Sequence, residues 1–371
     1  MKHIYILILV ILASCENPIH QVVDANNDII KPIIDNVKEY EVQIIYTQVD
    51  TTDNGEITLK DYTYKVDENS YFYPASTIKL PTSIFAAEYI EEQENISLDT
   101  PYVIEGDSQK HTIANDIEQI FIVSDNNAFN RLYELLGRDY VNMRFRESDL
   151  TPTKLTHRLS TEDATNEAHK SLTFFPGYTA DIQTIHQKED SSIKPLKINN
   201  IIKGKGYISD ETLIKKPIDF SKKNFFPLEK QHEVMKRLVF PETFDKQDRF
   251  NISNTTRERI LETMQTLPKD AGYDKNYYDS YVKFFIYGDS KKPIPEYIKI
   301  YNKVGYAYGT LTETAFIEDS KNNIRFFLSA TILVNKNEIF NDDIYEYDTI
   351  GIPFLAELGR AFYELEMNRK Q

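Results

Sequence analysis

A single cysteine, Cys15, stands in a chain of 371 residues, so no disulfide can form within it. Cations are also in short supply: 43 Lys and Arg face 58 Asp and Glu, a formal net charge of −15. A chain of that sign repels polyanions, and neither nucleic acid nor an anionic membrane surface is an expected partner. The apolar run Ile4 to Ala13 is shorter than the roughly 20 residues a spanning helix needs, and no other stretch is long and apolar enough. His, Cys and carboxylates nowhere cluster at metal-ligand spacing, and no internal repeat is visible. His157, His169 and His232 stand alone and read as surface residues. Gly204-Lys205-Gly206 lacks the surrounding spacing of a phosphate-binding loop.

What is present is an acidic, folded chain, 12% aromatic, with the length of two to three domains and material for a sizeable core. Lys2 and His3 precede the apolar run and Leu12-Ala13-Ser14-Cys15 follows it, the order of an export signal. That tetrapeptide resembles the lipobox of bacterial lipoproteins, in which the cysteine is lipidated. The resemblance makes residues 1–14 a signal peptide, Cys15 the lipid anchor and the cell envelope the location, facing the periplasm or the exterior. Residues 15–37 read as a tether leading into a helix around Val22 to Val37. Glu41 to Gln48 alternates as a strand, Asp53-Asn54-Gly55 is a hairpin turn, and Glu56 to Lys65 returns. A helical region runs from Ser76 to about Asp149, with Pro81 calling for a kink or a special packing site. Segment 150–226 is irregular, Leu228 to Val239 is an amphipathic helix, and another helix follows Asn251-Ile252-Ser253. Residues 267–296 are irregular again. Strands Tyr297 to Asn302, Thr312 to Glu318 and Ile324 to Val334 come next, and a helix from Pro353 to Glu366 closes the chain.

The chemistry centres on Tyr73-Pro74-Ala75-Ser76-Thr77-Ile78-Lys79. A strand ending in Tyr71-Phe72-Tyr73, halted by Pro74 and followed by an apolar helix, puts Ser76 at a helix N-terminus. Lys79 then falls three residues on, on the same face. A serine hydroxyl becomes a nucleophile when a neighbouring base takes its proton, and a desolvated lysine can do so. The alternative is a helix cap beside a solvated lysine. Ser191 to Lys194 and Ser280 to Lys283 repeat the spacing; Pro195 follows the first, and the second sits in a β-like aromatic run, Tyr277 to Tyr287. Two further segments bear on the choice. Ser124-Asp125-Asn126 is either a functional triplet or a turn and cap. Lys303-Val304-Gly305 ends a strand, where a lysine is solubilising or, beside a glycine, faces a ligand.

In that order, Ser-x-x-Lys, Ser-Asp-Asn and Lys-x-Gly form the motif set of class A β-lactamases and penicillin-binding proteins, and the chain resembles that family over most of 38–371. Segments 168–226 and 267–296 are insertions against it. The resemblance implies an α/β fold: a mostly antiparallel sheet flanked by helices, with an inserted helical subdomain. The sheet part is expected over about 38–72 and 255–371, the helical part over 73–254. It implies Ser76 as the acylated nucleophile, Lys79 as proton acceptor and Ser124 as the hydroxyl that protonates the leaving nitrogen. Asn126 would hold the substrate's acylamido group and Lys303 its carboxylate. Gly305 would allow close approach, and the N–H groups of Ser76 and Tyr306 would form the oxyanion hole. Val304 stands where the family has a hydroxyl residue. Glu162, with Asn166, matches the spacing of the family's deacylating Glu and Asn, though a solvated loop is the other reading. The implied function is a monomeric serine hydrolase acting on a β-lactam or related amide without metal or organic cofactor. A peptidoglycan D-alanyl-D-alanine peptidase, acting on stem peptides, and a non-hydrolytic sensor on the same scaffold are the alternatives.

Overall fold

The computed structural model describes residues 17–177 and 181–370. Cys15 and the apolar run before it lie outside the described residues. Two short helices come first, α1 (Pro18–Val23) and α2 (Ile30–Asp35). Both bury their isoleucines and valines against the C-terminal helix, so the segment expected as a tether is packed into the domain from residue 17 on. The single helix expected there is broken in two, with Asn27 accepting the N–H groups of Ile29 and Ile30.

Strands β1 (Gln43–Thr51) and β2 (Ile57–Tyr64) form the expected hairpin, turning through Asn54-Gly55 with Gly55 at φ +83°. Helix α3 (Lys79–Glu91) opens the helical subdomain and is buried on nearly every face, as its continuous apolar run requires. Pro81 sits in its first turn, where the lost N–H matters little, and Thr82 Oγ1 donates to Ile78 O at 2.9 Å. Strand β3 (Tyr102–Ile104) and helices α4 (Ile113–Ile122), α5 (Asn126–Leu136) and α6 (Arg138–Glu147) complete the subdomain core.

The stretch expected as irregular carries short strands: β4 (Leu172–Phe174), β5 (Gln183–Ile185), β6 (Ile202–Lys203), β7 (Gly206–Ser209), β8 (Thr212–Ile214) and β9 (Ile218–Asp219). Helices α7 (Leu228–Val239) and α8 (Asn254–Gln265) follow as read from the sequence, the second capped by Ser253. Then come β10 (Ile298–Ala307), β11 (Thr310–Asp319), β12 (Ile324–Leu333), the short β13 (Ile339–Phe340) and α9 (Ile352–Lys370).

The main sheet is antiparallel, in the order β10-β11-β12-β1-β2. One face packs on α1, α2 and α9, the other on α7 and the helical subdomain. This is the β-lactamase/transpeptidase arrangement expected. Two local readings need correction. Lys303-Val304-Gly305 lies inside β10, which continues to Ala307, because Tyr306 and Ala307 keep pairing with Leu311 and Thr310. Residues 277–287 form turns, not a strand. The three histidines are not surface residues either. His157 and His232 are buried, and the His169 side chain is enclosed between Glu134 and Asp190.

Candidate active site

From Tyr71 to Glu88 every residue is buried except Ser76. Tyr71 to Tyr73 are extended without forming a strand, held by Tyr71 N donating to Asn199 O at 3.0 Å. Pro74 then starts a tight turn over Ala75–Ile78 that runs into α3 at Lys79. Ser76 therefore stands at the N–H end of a 13-residue helix and opens on a cavity of about 530 Å³. No hydrogen bond engages its hydroxyl among the described residues.

Lys79 is fully buried, and its amine turns toward the Ser-Asp-Asn turn. Nζ donates to Ser124 O and to Asn126 Oδ1, both at 2.6 Å, with Asp125 O at 3.2 Å and Ser124 Oγ at 3.5 Å. Asp125 is the N-cap of α5, its carboxylate accepting Ala128 N at 2.7 Å. The cap reading of the triplet holds for Asp125, and the same turn brings Ser124 and Asn126 against Lys79. Asp125 starts the helix, and Ser124 and Asn126 on either side face the lysines. Ser124 sits in the left-handed region at φ +58°, and Ala75, next to Ser76, does so at φ +46°.

Lys303 reaches the same hydroxyl from the sheet. It is 1% exposed, so it does not solubilise the strand. Its Nζ donates to Ser124 Oγ at 2.9 Å and to Val304 O at 3.0 Å. Ser124 Oγ is thus set between two amines, a geometry for passing a proton. Gly305 explains how β10 comes so close. A Cβ there would lie 2.5 Å from Pro74 O and 2.8 Å from Ser76 N, inside van der Waals contact. The next residue, Tyr306, is 58% exposed and stacks edge-on with Phe284 and Tyr347 at the cavity rim.

Residues 26–189 match the β-lactamase enzyme family, so that stretch of the chain is similar to it. Among solved structures, an ancestral class A β-lactamase is similar at 13% identity with a TM-score of 0.53, covering 90% of this chain and 98% of that one. The class A β-lactamase from Mycobacterium abscessus aligns at 12% identity, TM-score 0.50, over 90% of this chain and 97% of that one. The structure of PBP-A aligns at 14%, TM-score 0.50, over 93% and 94%. Identities this low speak to the fold. No curated protein matches the sequence.

In this site the charges are set by burial. Burial and the neighbouring Lys303 hold Lys79 well below the usual lysine range, against the pull of Asp125. Burial, and behind it Lys283, brings Lys303 down to about 7, against Glu313. Lys283 and Glu313 lie behind the strand. Lys283 Nζ donates to Met264 O, Ile300 O and Asn302 Oδ1, and Glu313 accepts Phe285 N. The Ser280–Lys283 repeat of the motif is therefore a packing feature of the sheet.

Glu162 is not brought to the others. Arg158, paired with Glu134 at 2.6 Å, donates to Asn166 O at 2.7 Å and Ala168 O at 2.8 Å and so folds the loop tightly. Leu159, Ser160, Thr161 and Ala164 then line the cavity, whereas Glu162 is exposed and lines none of it. Ser160 occupies the place beside Asn126, accepting its Nδ2 at 2.9 Å. Sequence reasoning missed Ser160, and it missed the far wall: Lys223 from the first insertion and Tyr308, Tyr345 and Tyr347 from the C-terminal part. Only the paired tyrosines at 306 and 308 gave any signal. Among the described residues no group of three or more His, Cys, Asp or Glu could hold a metal ion.

Proposed function

We propose that the protein forms an acyl-enzyme on Ser76 with a carboxylate-bearing amide, either a β-lactam or a peptide ending in a free carboxylate. The observation that carries this reading is the isolation of Ser76, an unengaged hydroxyl and the one surface-reaching residue of an 18-residue buried stretch. Lys79, low in proton affinity, takes the Ser76 proton as the hydroxyl attacks the carbonyl. Negative charge on the carbonyl oxygen meets the N–H of Ser76 and, from β10, that of Tyr306. Ser124, linked to both lysines, returns a proton to the leaving nitrogen, and the Lys303 ammonium receives the substrate carboxylate. Asn126 holds the acylamido group.

The cavity lining favours a long-lived acyl-enzyme over fast hydrolysis. Its one carboxylate is Asp343, and the position beside Asn126 is a serine. Glu162 is thus not at hand as a base for a water at the ester. A peptidase or a penicillin-binding sensor accordingly fits better than an efficient lactamase. The protein would act in the bacterial cell envelope, tethered through lipid on Cys15. Intact-mass measurement after incubation with a penicillin tests the reading. The expected result is one added penicillin that persists on the wild type and is absent from Ser76→Ala. Labelling that survives Ser76→Ala overturns it.

A further inference from the structure

We infer that the helical subdomain carries a second binding site, for a small phosphate-bearing anion, in a basic pocket that shares no lining residue with the Ser76 cavity. The pocket holds about 550 Å³ and is bounded by three chain segments. Helix α6 supplies Arg138, Asn142 and Arg146, four residues apart and so on one face. The segment Thr151 to Thr156 forms a second side, and Ser191 to Lys194, from the first insertion, the third. The Ser191-x-x-Lys194 spacing, idle as a nucleophile motif, thus gains a place in the fold.

Four cations, Arg138, Arg146, Lys154 and Lys194, line this one pocket of a chain whose net charge is −15. The acid among the lining residues, Asp139, is already engaged by Ser191 N at 2.8 Å and Ser191 Oγ at 3.0 Å. Arg138 donates to Thr156 O at 3.2 Å and to Ser191 O, and Lys154 donates to Lys194 O. These three contacts fasten the walls together. Arg146 and Lys194 remain exposed, with no hydrogen bond or ion pair to either side chain among the described residues. Thr153 is 6% exposed, and its buried hydroxyl has no partner. Thr153 is a lining residue, and its hydroxyl is a polar group that the fold leaves without a partner. Burial, with Arg138 and Lys194 nearby, disfavours the Lys154 cation, and Arg138 is met by the buried Asp190, Nε to Oδ2 at 3.8 Å, so Arg146 and Lys194 are the charges left for a ligand.

A lone carboxylate would be satisfied by one arginine fork. Cations arriving from three segments, with hydroxyls between them, suit a tetrahedral group carrying more than one charge. The overall negative charge of the chain favours a soluble phosphate ester over the headgroups of an anionic bilayer, which the whole molecule repels. This inference is independent of the acylation chemistry proposed above.

The test is a calorimetric titration of the full chain with inorganic pyrophosphate at low ionic strength. Saturable binding is expected, weakened about tenfold or more in Arg146→Ala/Lys194→Ala, which removes two charge-assisted contacts. Lys215→Ala/Lys216→Ala, an exposed pair elsewhere with the same charge loss, should bind as the wild type does. Acylation of Ser76 by a fluorescent penicillin, unchanged in both variants, shows that each is folded. A second arm measures co-sedimentation with phosphatidylglycerol vesicles. Vesicle binding above that of Arg146→Ala/Lys194→Ala identifies a lipid headgroup as the phosphate source, and equal sedimentation of the two, with pyrophosphate bound, identifies a soluble ester. No saturable pyrophosphate binding, or equal weakening by both double variants, overturns the site.

Discussion

The buried position of Lys303 leads to a pH dependence that can be worked out in advance. Its amine, brought to about 7 by burial and by Lys283, is the group proposed to receive the substrate carboxylate. The rate constant for acylation at low substrate reports the free protein, so this value applies before any anion arrives to raise it. Below pH 7 the ammonium is formed and binds a carboxylate. Above pH 7 each unit removes about nine-tenths of the ammonium that remains. A charge-assisted hydrogen bond is worth about 1.5–3 kcal/mol, so the loss should level off about 10- to 100-fold down. Lys79 titrates in the same protein and would confuse a single profile, because acylation needs its neutral form. Comparing a penicillin with its methyl ester removes that difficulty, since both substrates use Lys79 and only the acid uses Lys303. The ratio of the two acylation rates, followed by stopped flow from pH 6 to 9.5, should fall about tenfold by pH 8. A ratio that stays flat, or rises, would refute the assignment of Lys303 as the carboxylate partner.

Further outcomes follow from other parts of the site. Lys79→Arg retains a cation that cannot accept a proton at neutral pH, so acylation should drop by roughly 10²–10⁴, read as the rate of penicillin labelling. Near-normal labelling would place the base elsewhere. Gly305→Ala forces a methyl against Pro74 O at 2.5 Å and should cost about 1–3 kcal/mol in a denaturant titration, with slower acylation as β10 moves off Ser76. An unchanged midpoint and rate would mean the close approach is relaxed in solution. Glu162→Gln should leave both acylation and deacylation unaltered, because the residue stands outside the cavity. Accumulation of acyl-enzyme in that variant alone would show that the loop closes during turnover.

Much of this molecule was legible because its chemistry is local. The turn at Gly55, the Ser253 cap and the helix from Leu228 to Val239 are written in short-range patterns, and the structure repeats them nearly residue for residue. The three motifs were readable because each occupies three or four consecutive residues, although the contacts that join them, Lys79 and Lys303 to Ser124, are long-range. What escaped was set by long-range packing. His232 looked solvated, yet it sits between Thr47 and Ser329, 185 and 97 residues away. Glu162 had suitable spacing from Ser124, but spacing says nothing of how Arg158 draws its loop toward Glu134 and leaves Ser160, not the glutamate, beside Asn126. Lys283 could not be read as buried, because its neighbours Ile300 and Asn302 come from a strand laid down after an irregular stretch.

The left-handed residues Ala75 and Ser124 set the chemistry proposed for this site against the stability of the fold. Ala75 and Ser124 both carry a Cβ where glycine would rest freely, and each holds a backbone shape costing on the order of 1–2 kcal/mol. Ala75→Gly would relieve the first and leave every functional side chain in place, yet the chain carries alanine there. Rigidity supplies a physical use for it: a glycine before Ser76 would let the turn sample other shapes, loosening the hydroxyl and its N–H together. The fold is therefore expected to gain stability from changes that slacken the turn carrying Ser76, and selection for thermal tolerance alone would erode the proposed site first.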